Sequence, residues 1–176
     1  VVDVVRGRKG LFTDNTSAEL TFDATKDFTS FDSDGFTVGI PHQANSFNYN
    51  TGSIVAWNWK ANGAGSSNTD GQITSTVSVN TTAGFSIVKF DLTGEGATTK
   101  TVGHGLGVVP KMIITKPLGA IGWHTWHTSL GTDYVVLNTN AAKTSSANFM
   151  NSEVPTASTF KIGDTSNSTF WNNNDC

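Results

Sequence analysis

The residues best suited to chemistry in this chain lie in one short run, GWHTWHT, at Gly122 to Thr128. Histidine ligates metals and moves protons near neutral pH, and an exposed tryptophan ring offers an apolar face on which the C–H face of a sugar can stack. Read as a strand, the run puts Trp123, Thr125 and His127 on one face and His124 and Trp126 on the other, because successive side chains alternate. The two histidines then point apart. No Cys, Asp or Glu pattern supplies the further ligands that zinc takes, so neither metal nor cofactor is expected. Core packing is the primary reading of the tryptophans. Glycan contact is the alternative for Trp123 and Trp126, and for Trp57 and Trp59 in SIVAWNWK at Ser53 to Lys60.

A second histidine, His104, stands among Gly103, Gly105 and Gly107 in VGHGLGVVP, ahead of Pro110. Glycines so placed allow the backbone to loop close to a ligand. A phosphate cradle would need a following Lys-Ser/Thr pair and a helix, and both are missing here. The stretch reads instead as a structural turn feeding the next strand, with His104 bonding backbone. Asp32-Ser33-Asp34-Gly35 resembles the start of a calcium loop, but apolar residues follow Gly35 where ligands would be needed. A plain turn accounts for it. Glycoside hydrolysis needs two carboxylates across the scissile bond, whereas Glu19, Glu95 and Glu153 are scattered. No G-x-S-x-G run and no cysteine nucleophile in a suitable context occurs. The chain is read as non-catalytic.

Positioning these side chains requires strands. Of the 176 residues, 14% are charged and 10% aromatic, against about 25% charged in an average soluble domain. Ser, Thr, Asn and Gly take the places of Lys and Glu, which disfavours helix, while the aromatics argue against disorder. Strands are expected at Phe36–Ile40, Ser53–Trp59, Gln72–Val79, Phe85–Phe90, Lys111–Lys116, Gly122–Thr128, Tyr134–Asn138 and Thr159–Ile162. The expected fold is all-β, a β-sandwich of jelly-roll or lectin-like kind with little or no helix. The formal charge is −3, and Arg6, Arg8 and Lys9 form the one dense basic patch, so nucleic acid is not an expected partner. No apolar run nears the ~20 residues of a membrane span. A single cysteine, Cys176, rules out a disulfide within the chain.

The stretch NGAGSSNTDGQ, 62–72, has linker composition. A repeat gives it meaning. GFTVG at Gly35 to Gly39 matches TFKIG at Thr159 to Gly163, with Phe36 on Phe160 at an offset of 124 residues. The same offset sets Gly7 on Gly131 and Leu11 on Val135, and NSF at Asn45 to Phe47 resembles NST-F at Asn167 to Phe170. The expected division is residues 1–61 as the C-terminal half of one unit, 62–72 as linker, and 73–176 as a second, nearly complete unit. Both ends then read as interior points of a longer chain. Either SIVAWNWK closes the second unit, or neighbouring chain does.

FTSFDSDGFTVG, SIVAWNWKANG, GFSIVKF, TVGHGLGVVPKMIITK and YVVLNTNAA together resemble tandem repeats in virion and tail-fibre-like proteins of tailed bacteriophages, many of them marine. The resemblance runs from about Val4 to Trp171, and SDGFTVG, AWNWK and GHGLGVVPKMI carry most of it. It implies a β-sandwich surface module on the phage particle, with no catalytic residues to carry over. Its implied partners are further copies of the chain (a trimer) and other virion proteins. Rival expectations are a module binding bacterial surface polysaccharide, a bacterial surface adhesin and a depolymerase fragment. The family repeat continues past NNN into a strand like Ser53 to Lys60, whereas this sequence stops at Asp175-Cys176.

Overall fold

The computed structural model describes residues 1–40, 48, 53–171 and 176. Strand occupies 29% of the chain and helix 4%, in several small antiparallel sheets, so the all-β expectation is borne out. The first arm holds two hairpin-like pairs. In one, β1 (Lys9–Gly10) pairs with β2 (Leu20–Thr21); in the other, β3 (Phe28–Phe31) pairs with β4 (Phe36–Val38). The Asp34-Gly35 turn joins the second pair. Its Asp32 carboxylate accepts the hydroxyls of Ser30 at 2.9 Å and Thr37 at 2.7 Å. That pins the hairpin mouth and spends the carboxylate on structure.

The second arm begins with β5 (Ser66–Asn68), β6 (Ser75–Asn80) and β7 (Phe85–Phe90), in sheet order β5-β6-β7. Next come β8 (Lys100–Gly103), β9 (Met112–Thr115), β10 (His124–His127), β11 (Val135–Val136), a one-turn helix α1 (Ala147–Met150) and β12 (Thr159–Ile162). β8 pairs with β12, while β9, β10 and β11 form a sheet in the order β11-β10-β9. Sheets of two or three strands are marginal alone, so their stability comes from what they bury together. The shared core contains Ile73, Phe90, Leu92, Val102, Trp126, Tyr134, Phe149, Met150, Phe160, Ile162, Phe170 and Trp171.

Seven of the eight expected strand segments contain a strand; Phe85–Phe90 and Thr159–Ile162 match end to end, and the others differ at their ends. Ser53–Trp59 does not: it is unpaired and exposed throughout. Apolar, β-branched composition favours a strand, but a strand exists only where a partner backbone takes its hydrogen bonds, and none of the described residues does so here. Conversely, Ser66–Asn68, inside the stretch of linker composition, is strand β5, because its backbone pairs with Ser75–Val77 of β6.

Three features recur at an offset of 124 residues. Gly7 and Gly131 both turn the chain at positive φ, +73° and +62°. Gly10 pairs with Leu20 in β1–β2, and Tyr134 pairs with Thr144 in an isolated antiparallel bridge. Gly39 and Gly163 each press against the backbone of a preceding turn. A Cβ on Gly39 would lie 2.1 Å from Thr25 O, and one on Gly163 would lie 2.4 Å from Ala147 O. Their amides donate to Asp27 O and Phe149 O respectively, at 2.7 and 3.0 Å.

Backbone cannot yield as a side chain can, so Gly39→Ala and Gly163→Ala are each expected to cost about 2–3 kcal/mol. Gly35→Ala, with nothing within 4 Å of its added carbon, should stay within about 0.5 kcal/mol of the parent. Urea unfolding followed by circular dichroism checks all three, and a benign Gly163→Ala would mean the turn relaxes away.

Candidate functional site

The tryptophans divide sharply. Trp123 and Trp126 are buried, 5% and 2% exposed, and their indole N–H groups donate to Phe12 O at 2.6 Å and Gly131 O at 2.7 Å. Neither presents a ring face to solvent, so the expected glycan contact is corrected for these two. The cause is that Trp126 belongs to the shared core, while Trp123, just before β10, reaches the first arm at Phe12. Trp57 and Trp59 are 81% and 64% exposed. They sit two apart in the unpaired Ser53–Lys60 segment, and Trp59 stacks on Phe85, ring centroids 6.2 Å apart at 21°.

A shallow cavity of about 280 Å³ opens beside this stack, lined by Lys60, Ala61, Asn62, Val79, Asn80 and Thr81. Two hydrogen bonds fix its wall: Asn80 Nδ2 donates to Lys60 O at 3.2 Å, and Asn62 N–H donates to Ser78 Oγ at 2.9 Å. Two exposed indoles beside amide, hydroxyl and ammonium groups form the one solvent-facing combination, among the described residues, that could hold a polar ligand with an apolar face. Asn62, Asn80 and Thr81 were not singled out from the sequence. Their role depends on the segment passing over β6, which no local pattern announces.

The histidines serve structure. At the glycine-rich turn, Gly105 and Gly107 both have φ of +71° and Pro110 is buried. Gly103 O accepts the Ser75 hydroxyl at 3.0 Å. His104 Nδ1 accepts the Leu106 N–H at 3.2 Å, so the proton sits on Nε2, which donates to Thr156 O at 3.2 Å. Burial lowers the His104 pKa. His127 caps the 3-10 turn Thr128–Leu130 by accepting the Ser129 N–H. His124 lies within an aromatic cage, its ring 4.7 Å from Phe170, 5.6 Å from Tyr134 and 5.7 Å from Phe149. Its buried Nδ1 has no partner among the described residues. Burial, reinforced by the charge of Lys116, lowers its pKa to about 4.

Several of the remaining charges lie in ion pairs. Arg6 bonds Asp3 at 2.5 Å and Glu19 at 2.9 Å, and Lys9 also reaches Glu19 at 2.9 Å. Arg6 and Lys9 of the basic patch thus belong to an ion-pair network, while Arg8 donates to Phe22 O at 3.2 Å. Glu95 pairs with Lys100 at 3.3 Å and Glu153 with Lys161 at 2.5 Å. The three glutamates therefore lie in separate pairs, and no group of three or more His, Cys, Asp or Glu among the described residues is placed to hold a metal ion.

Folded His124 stays neutral while unfolded histidine, at 6.5, takes a proton. Stability is therefore complete above pH 6.5 and falls as pH drops toward 4, by roughly 1.4 kcal/mol per unit, with His104 adding to the fall. Urea unfolding across that range should show the slope, and His124→Phe should remove most of it. An unchanged slope in the variant would assign the loss to other groups.

The family described as a domain of unknown function, DUF7483, matches residues 1–175, and the chain belongs to it. No curated protein and no solved structure matches the chain.

Proposed function

We propose that this chain is a non-catalytic structural module of a bacteriophage virion surface or tail-fibre protein, building or decorating the fibre. The observation carrying this reading is the recurrence of three backbone features at an offset of 124 residues, in positions as particular as a glycine pressed on a turn. Units that recur along one chain are how extended surface proteins are built. The SDGFTVG, AWNWK and GHGLGVVPKMI motifs point to the phage setting. Low charge with abundant Ser, Thr and Asn suits a hydrated surface held by hydrogen bonds. Antibodies raised against the chain are expected to decorate the fibres or surface of particles encoded by the same genome, viewed by immunogold electron microscopy. Labelling confined to the host envelope would favour the adhesin reading instead.

The exposed pair Trp57 and Trp59 favours a second reading, recognition of bacterial surface polysaccharide. Aromatic platforms with a few convergent polar groups are a common form of ligand site, and Lys60 beside them suits acidic sugars. On an array of bacterial polysaccharides with reducing-sugar release assayed in parallel, a receptor module retains one or a few glycans without release. Trp57→Ala and Trp59→Ala should each then weaken retention by about tenfold or more. Sugar release would overturn the non-catalytic assignment.

A further inference from the structure

We infer that Asn62 is a self-modification site, where the side-chain amide is lost to the Gly63 nitrogen and the main chain is rerouted through an isoaspartyl link. An asparagine before glycine can cyclise in this way, because glycine has no side chain to keep its nitrogen from the neighbouring Cγ. Asn62-Gly63 is the one Asn-Gly pair in the sequence. Both residues are exposed, Gly63 has φ of +66°, and no atom beyond its chain neighbours lies within 4 Å of where its Cβ would be. Among the described residues, neither the Asn62 side-chain amide nor the Gly63 N–H has a hydrogen-bond partner. The groups that do bond flank the reacting pair. Asn62 N–H donates to Ser78 Oγ at 2.9 Å, and Ser78 Oγ donates to Gly63 O at 2.7 Å. One hydroxyl of β6 thus clasps the turn from both ends and leaves its reactive centre open.

Other candidates are held. Asn80 Nδ2 donates to Lys60 O at 3.2 Å while its Oδ1 accepts Ala83 N–H at 3.0 Å. Asn151, ahead of Ser152, donates to Glu153 at 2.8 Å. In Asp70-Gly71 a Cβ on the glycine would lie 2.5 Å from Thr101 O, so that backbone has no room to swing. Asp34-Gly35 is open, but a carboxylate yields to a nitrogen nucleophile less readily than a neutral amide does. At Asn62 the Gly63 nitrogen gives its proton to solvent and attacks Cγ. A C–N bond forms, the bond to the side-chain nitrogen breaks, and ammonia leaves with a proton from water. Water then opens the cyclic imide at either carbonyl, giving aspartate or isoaspartate. The isoaspartyl chain has one more main-chain carbon between the nitrogen of residue 62 and Gly63 O. A single hydroxyl can no longer clasp both, so the turn comes away from Ser78, which is itself 0% exposed. A carboxylate also appears in the cavity wall beside Lys60. The change is one-way, and it does not depend on what that cavity binds.

Incubated in mildly alkaline buffer, the chain is expected to gain the mass of one water less one ammonia. Peptide fragmentation should place the change at position 62, and an isoaspartate methyltransferase should label the product. Asn62→Gln, whose larger ring closes far more slowly, should abolish the gain with unchanged circular dichroism. A chain that keeps its mass would overturn the site, as would a gain that arises at other asparagines while position 62 stays intact. Hydrogen exchange read by mass tests the lost clasp. The isoaspartyl form should exchange faster across residues 60–65 and 76–80 than Asn62→Asp, which carries the same charge without the extra carbon. Equal exchange in the two would overturn release of the turn from Ser78.

Discussion

The aromatic cluster of the second arm is the constraint on which the other elements depend. Phe149, on a helix of a single turn, lies 4.9 Å from the Tyr134 ring, 5.8 Å from Phe170 and 6.0 Å from Trp171, with the last pair nearly parallel. Phe90 extends the cluster to Phe160 at 6.1 Å and to Trp171 at 6.5 Å. These rings come from β7, β12, α1 and the C-terminal stretch, so each pins an element that is too short to stand alone. Aromatic pairs add to the burial energy of their area, and the indole N–H of Trp171 is satisfied at Asn148 O, 2.8 Å away. A buried aromatic cage of this kind also dictates the state of His124. Imidazole fits there as a ring, and its charged form is excluded by the same desolvation that makes the cluster stable.

The two arms share local rules and differ in burial. Phe36 and Phe160 occupy equivalent places, yet Phe36 is 37% exposed and Phe160 is 5% exposed. β7 and β8 account for the difference. In the second arm β12 pairs with β8 and packs under Phe90, whereas in the first arm β4 pairs only with its hairpin partner β3. The first arm therefore makes do with a satellite core of Leu11, Phe22 and Phe28, supported by the Arg6–Glu19–Lys9 network. It is tied to the second arm through Trp123, which bonds Phe12, and through Glu19, whose amide bonds Leu118 O.

The residues with most chemical potential are spent on this scaffold. His104 and His127 close turns, His124 fills a cage, and Lys116 satisfies its buried ammonium on Pro117 O and Gly119 O at 2.7 Å each. Among the described residues, what stays exposed in the Ser53–Lys60 segment is apolar: Val55, Trp57 and Trp59.

Much of the secondary structure was legible in the sequence because its causes are local. FSIVKF and STVSVN alternate with period two, the turns fall on Gly, Asn and Asp, and glycines mark the places where a Cβ has no room. The glycines that recur at an offset of 124 residues could be read for the same reason. Strands without an apolar signature, Ser66–Asn68 and Lys100–Gly103, could not be read, since their partners lie in other strands and their own side chains say little. Nor could the sequence separate Trp123 and Trp126 from Trp57 and Trp59, which sit in equally strand-like runs. Composition determined that the chain is all-β and that its aromatics must find cover. Which aromatics found it was decided by the tertiary structure, because burial depends on what packs opposite a residue: Trp123 and Trp126 are covered, whereas Trp59 has the Phe85 ring on one side and, like Trp57, stays exposed.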